Sequence, residues 1–80
     1  MLRMVAIQEK RQAKRGLPAP AMRRAIREAS GLSQEDIAQA FQPPIHRETV
    51  SRWERGERTP RGALLVAYVA LLDELRGGTS

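Results

Sequence analysis

The 80-residue sequence contains no cysteine and a single histidine, His46. Disulfides and thiolate metal sites are therefore excluded, and one imidazole supplies neither a zinc cluster nor a hydrolytic triad. The chain does not read as an enzyme, and no cofactor or metal is implied. Long hydrophobic runs are also missing. The longest, Ala63 to Leu72, falls far short of the ~20 residues of a membrane span, so it reads as a core helix and no membrane partner is expected. Met1 to Ile7 is apolar, but Glu9, Lys10, Arg11, Lys14 and Arg15 follow it in place of a small-residue cleavage site, so no secretory signal is expected. The period-two alternation of strands is absent, as is any internal repeat. A chain of this length allows one small domain with a marginal core.

What the chain does have is positive charge, a formal +5, placed unevenly. Residues 1 to 16 hold Arg3, Lys10, Arg11, Lys14 and Arg15 against Glu9, a net +4, and residues 17 to 80 supply the remaining +1. Such a segment attracts a phosphate backbone without reading sequence. Two other readings stand beside that one: a solvated leader, or a helix with Leu2, Val5 and Met1 along one side. Gly16, Pro18 and Pro20 separate the segment from the rest of the chain.

Past that linker, helical periodicity takes over. Ala21 to Ser30 reads as a first helix with Met22, Ala25, Ile26 and Ala29 inward, Arg23, Arg24 and Arg27 on its polar sides, and Gly31 as its stop. Ser33 offers an N-cap, with Asp36 three residues on as a variant of the capping box, and Ile37, Ala38 and Phe41 give a second helix, Gln34 to Phe41, one buried face. Gln42-Pro43-Pro44 breaks it. Ile45, Val50 and Trp53 then alternate with Arg47, Glu48, Ser51 and Arg52 in a third, amphipathic helix from Arg47 to Arg55, closed by Gly56. Thr59-Pro60 opens a fourth that runs to Leu75. The fold class expected is an all-α compact bundle of four or five short helices containing a helix-turn-helix.

The order Ser33-Gln34, Ile37-Ala38, a turn, Val50-Ser51-Arg52-Trp53-Glu54-Arg55-Gly56 and Pro60 resembles the Cro/repressor (XRE-type) helix-turn-helix family. The resemblance covers about residues 20 to 75. Family members usually join the two helices by a Gly followed directly by a hydrophobic residue. Here Gln42, Pro43 and Pro44 precede Ile45, which looks like a two-residue insertion and predicts a wider, stiffer turn. Charge and the Gly/Pro positions set off a basic N-terminal extension and linker over 1–19 and a C-terminal tail over 77–80, and the resemblance implies a DNA-binding domain over 20–76 between them.

A recognition helix presents its N-terminal residues to base edges in the major groove. Carried over position by position, the base-facing residues are Arg47, Glu48, Ser51 and Arg52. Arginine can donate two bonds to guanine and glutamate can accept from cytosine, so a G/C-containing half-site is expected. The plainer alternative for each is an exposed helix charge, with Glu48 and Arg52 paired at i, i+4. The resemblance assigns phosphate contacts to Gln34, Arg58 and Arg61, with Thr49 as a helper; these set register but carry no sequence information. It also pairs Glu54 with Arg27 as a structural tie, while Trp53 reads as packing. His46, just before the third helix, reads as either a DNA contact or a plain surface histidine.

The fourth helix is apolar nearly all round, more than so small a domain can bury. A second copy of the chain or the N-terminal segment would cover the far face. The function implied is a sequence-specific double-stranded DNA-binding transcriptional regulator, a phage-type repressor or Cro-like protein acting as a homodimer in the cytoplasm of a bacterium or phage-infected host cell. The alternative is an antitoxin-type or adaptor protein that binds a protein partner as well as DNA. A helical module that binds only protein is a further alternative, disfavoured by the dense arginine face.

Overall fold

Pro20 opens the first helix. Its fixed φ suits a first helical turn and its ring pushes the preceding residue into extended backbone; Ala19 is extended accordingly, at φ −60° and ψ 155°. The computed structural model describes residues 16–77, and this helix, α1, spans Pro20–Ala29. The readings placed on residues 1–15 (arm, leader or helix) and on 78–80 of the tail lie outside the described residues. Beyond Ser30, Gly31 takes φ 72°, so that Leu32 N–H donates to the Arg27 carbonyl at 3.2 Å and Gly31 N–H to the Glu28 carbonyl at 3.0 Å. This is a Schellman closure, which satisfies carbonyls that the helix end leaves open.

The second helix, α2, spans Gln34–Gln39. Asp36 N–H donates to Ser33 Oγ at 3.0 Å and Ser33 N–H to Asp36 Oδ2 at 2.8 Å, a reciprocal capping box. The backbone bond from Ser33, followed by the bond with its hydroxyl, holds the Asp36 carboxyl below its usual range. α2 ends before the expected Phe41. Ala40 and Phe41 donate to Ile37 and Ala38 in the tighter i→i−3 pattern, which closes the helix. Pro43 and Pro44 have no N–H to offer, and Ile45 N–H then reaches back to the Ala38 carbonyl at 3.1 Å.

The third helix, α3, spans Arg47–Arg55, as its periodicity predicts. Gly56, at φ 76°, turns the chain so that Glu57 N–H donates to the Arg52 carbonyl at 3.0 Å. A Cβ here would also lie 3.2 Å from Pro20 Cγ, so the start of α1 closes over the same spot. The fourth helix, α4, spans Gly62–Leu75 and does not start at Pro60. Pro60 is instead buried in the approach, where Arg61 is still extended at φ −134° and ψ 161° and Gly62 sits at φ 57°. That backbone leaves the Arg61 carbonyl to accept from Leu65 N–H at 3.3 Å as the helix sets in.

Among the described residues there are four helices and no strand. α3 packs on both α1 and α2, and α4 packs on α1. Ile26, Ile37, Ala38, Phe41, Val50, Trp53, Tyr68 and Leu72 form the core, with Leu17, Leu32, Ile45, Leu71 and Leu75 packed against it. Trp53 sits between two other rings, with centroids 5.8 Å from Phe41 in an edge-on contact and 4.7 Å from Tyr68. Such pairs add ~0.5–1.5 kcal/mol each beyond the apolar area they bury.

The inward face of α1 differs from its sequence reading. Ile26 is buried, but Met22, Ala25 and Ala29 are exposed, and Arg23, assigned to the polar side, is 7% exposed. Its guanidinium donates to the Pro18 carbonyl at 2.7 Å and to the Trp53 carbonyl at 2.8 Å. Burial depresses the Arg23 pKa, yet two well-placed carbonyls make the position acceptable to a cation. On α4, Tyr68 and Leu72 face the core, while Leu64 and Val66 are exposed, Val66 to 70%.

Candidate nucleic-acid interface

Helix α3 divides cleanly between two faces. Val50, Trp53 and Glu54 are buried; Arg47, Glu48, Arg52 and Arg55 are exposed, and Ser51 is half-buried beside them. The division follows from the sequence: 50, 53 and 54 lie on one side of a 3.6-residue period, while 48, 51, 52 and 55 lie on the other.

The buried Glu54 carboxylate locks that orientation. Arg27 of α1 donates to it through Nε at 2.6 Å and Nη2 at 3.0 Å, and Gln34 of α2 donates through Nε2 at 3.1 Å. One acceptor thus ties the third helix to both α1 and α2. Arg27 also donates to the Leu32 carbonyl at 2.9 Å, and the Glu54 bond raises the Arg27 pKa. Gln34 lies in the first turn of α2, half-buried, with its amide committed to Glu54.

Two open depressions flank the exposed ridge of α3. The first, about 520 Å³, is bordered by Arg24 and Arg27 of α1, Gln34 of α2, and Arg47, Ser51 and Arg55 of α3. The second, about 650 Å³, brings Arg52 together with Thr49, Arg58 and Arg61. The residues assigned to base and phosphate contact therefore fall into two groups, Gln34 with Arg47 and Ser51, and Thr49 with Arg52, Arg58 and Arg61. Glu48 borders neither depression. His46 is exposed at the start of α3 and makes no side-chain capping bond.

Charge is distributed unequally over these side chains. Among the described residues Arg47, Arg58 and Arg61 make no ion pair, which leaves their guanidinium donors open to phosphate or base oxygens. Arg52 approaches Glu48 only loosely, at 3.7 Å. Arg55 is tied down instead: it bonds Ser51 Oγ at 2.6 Å, Glu57 at 2.9 and 3.1 Å, and Glu48 at 3.4 Å. The Glu57 bond raises the Arg55 pKa and lowers that of Glu57.

Arg55 and Arg24 were not singled out as site residues from the sequence. For Arg55 the signal was present, since it lies four residues after Ser51 and seven after Glu48 on one helical face. Arg24 gave no such signal, because its place beside Arg47 depends on how α1 crosses α3.

Among the described residues no group of three His, Cys, Asp or Glu side chains could hold a metal ion, and no helix is long and apolar enough to cross a membrane. No curated protein and no solved structure matches the chain. The profile of the helix-turn-helix family, of Cro/C1 type and typically non-enzymatic, matches residues 24–75, which takes in most of α1, the capped α2, the proline turn, α3 and all of α4. With a buried inner face on α3, a polar outer face and a match over most of its length, the chain belongs to the Cro/C1-type helix-turn-helix family of DNA-binding regulators.

Proposed function

We propose that the protein is a sequence-specific transcriptional regulator of double-stranded DNA, a phage-type repressor or Cro-like protein that acts by occupying an operator. The observation that carries this reading is the outer face of α3, where Arg47, Glu48, Ser51 and Arg52 project from a helix whose inner face is fixed in the core. An α-helix fits the major groove, and arginine, glutamate and serine supply the donors and acceptors that distinguish base pairs there. Thr49, Arg58 and Arg61 cluster beside Arg52, as phosphate contacts that set the register would. Gln34 reaches phosphate in this reading only through an amide already oriented by Glu54.

The exposed Leu64 and Val66 on α4 favour a two-fold homodimer over a monomer. In a dimer of this motif the recognition helices lie ~34–36 Å apart along the duplex and the operator is pseudo-palindromic.

Selection of bound sequences from a random duplex pool tests the reading. A preferred site with G/C pairs in each half is expected. Arg52→Ala and Arg47→Ala should each cost roughly 1–3 kcal/mol at that site and relax one position, while Arg58→Ala and Arg61→Ala should weaken all sequences alike and flatten the salt dependence. Equal losses on selected and random DNA for Arg52→Ala overturn the base-reading assignment. Val66→Glu should abolish cooperative filling of two half-sites; one protomer on an asymmetric site in the parent protein removes the dimer, and copurification of a second protein on that face favours the antitoxin-type or adaptor alternative.

A further inference from the structure

We infer that Arg55 is a positioning residue for sequence recognition: it fixes Ser51 as a hydrogen-bond donor and Glu48 as an acceptor on the surface offered to DNA. The inference rests on the base-reading role proposed above for Ser51 and Glu48, and adds to it a residue which itself need not touch a base.

The geometry runs outward from the end of α3. Glu57 is pinned by its N–H bond to the Arg52 carbonyl, 3.0 Å, across the left-handed Gly56. Its carboxylate then receives Arg55 as a two-bond fork, Nε to Oε2 at 2.9 Å and Nη2 to Oε1 at 3.1 Å. An isolated exposed ion pair orders little, but a bidentate arginine fork within a wider network is the exception. Once forked, the guanidinium points Nη1 at Ser51 Oγ, 2.6 Å away, and Nη2 at Glu48 Oε2, 3.4 Å away.

The chemical consequence concerns polarity. A serine hydroxyl has one hydrogen and two lone pairs. With a cationic N–H occupying a lone pair, the hydroxyl hydrogen turns away from Arg55 and becomes available to an acceptor such as guanine O6 or N7, or thymine O4. Glu48 Oε2 is bracketed by Arg55 and, at 3.7 Å, by Arg52. Glu48 Oε1 has no partner among the described residues. It is left as the acceptor for an exocyclic amino group, such as cytosine N4. Without Arg55, the serine hydroxyl could present either a donor or an acceptor, and the glutamate could swing to Arg52.

The test compares base preference and salt dependence in Arg55→Ala, Arg55→Lys, Glu57→Gln and Arg52→Ala, with the selected duplex mutated one base pair at a time. Arg55→Ala should lower discrimination at the pairs facing Ser51 and Glu48 by roughly 5-fold or more, leaving the salt slope and the preference set by Arg47 as in the parent. Glu57→Gln, which weakens only the fork, should shift the same positions by less, and Arg55→Lys should restore part of the loss. A uniform loss on every sequence with a flatter salt slope would make Arg55 a phosphate contact and overturn the inference, as would an unchanged preference profile. Should Arg52→Ala also leave the profile unchanged, the base-reading role itself fails; a profile that responds to Arg52→Ala but not to Arg55→Ala removes the positioning role alone.

Discussion

Replacing Glu54 with alanine removes the acceptor of three donors at once: Arg27 Nε at 2.6 Å, Arg27 Nη2 at 3.0 Å and Gln34 Nε2 at 3.1 Å. The Glu54 side chain is 3% exposed and that of Arg27 11%, so water replaces little of what is lost. Breaking a buried pair from one side leaves an uncompensated charge and costs ~3–5 kcal/mol. Arg27 keeps its bond to the Leu32 carbonyl, 2.9 Å, and a distant approach to Glu28, 4.0 Å. The loss should therefore fall at the lower end, about 3 kcal/mol. In a domain of this size each kcal/mol moves the thermal midpoint by ~4–8 °C, so a drop of roughly 12–24 °C is expected. Far-ultraviolet circular dichroism, with Trp53 fluorescence as a second probe, measures it. Glu54→Gln should lie between parent and alanine variant, because an amide oxygen accepts one Arg27 bond while its NH2 opposes another donor. The double change Arg27→Met with Glu54→Leu should recover much of the loss, since no charge is stranded. A Glu54→Ala midpoint within about 4 °C of the parent would refute the argument, because it would mean the tie contributes under ~1 kcal/mol.

Burial, and then the nearby Glu54 carboxylate, push the Tyr68 hydroxyl up to about 12, against about 10 in an unfolded chain. Because the folded value is the higher, its contribution is complete below pH ~10 and is lost as the pH rises through ~12, roughly 2–3 kcal/mol in all. Tyr68→Phe should erase that alkaline slope in denaturant unfolding, and an undiminished slope in the variant would assign it to other groups. Gly31→Ala should cost the ~1–2 kcal/mol of a left-handed non-glycine residue. Gly56→Ala should cost more, because its Cβ also meets Pro20 Cγ at 3.2 Å whereas that of Gly31 meets nothing within 4 Å. Equal losses at the two positions in urea would show that the approach of Pro20 carries no weight.

The legible parts of the fold were those written in local chemistry. α3 has the bounds its sequence predicts, because Val50 and Trp53 mark a buried stripe and Gly56 supplies the left-handed stop. The cap of α2 was legible for the same reason: Ser33 and Asp36 stand three residues apart. What sequence misread depends on partners distant along the chain. Arg23 looked like surface because arginine usually is, and only the Pro18 and Trp53 carbonyls, the latter 30 residues away, make its burial intelligible. Met22 looked inward because its period fits, but the buried positions of α1 are Arg23 and Ile26, and Met22 is left exposed. The start of α4 was misplaced because proline suits a first helical turn as well as an extended approach, and local propensity does not choose between them.

Arg23 also has a mechanical consequence. Its guanidinium clasps the chain just before α1 to the last turn of α3, with no carboxylate in between. The clasp bridges 30 residues of sequence with one side chain. The position of the chain at Pro18 is thereby coupled, through one side chain, to the Trp53 carbonyl at the carboxyl end of α3.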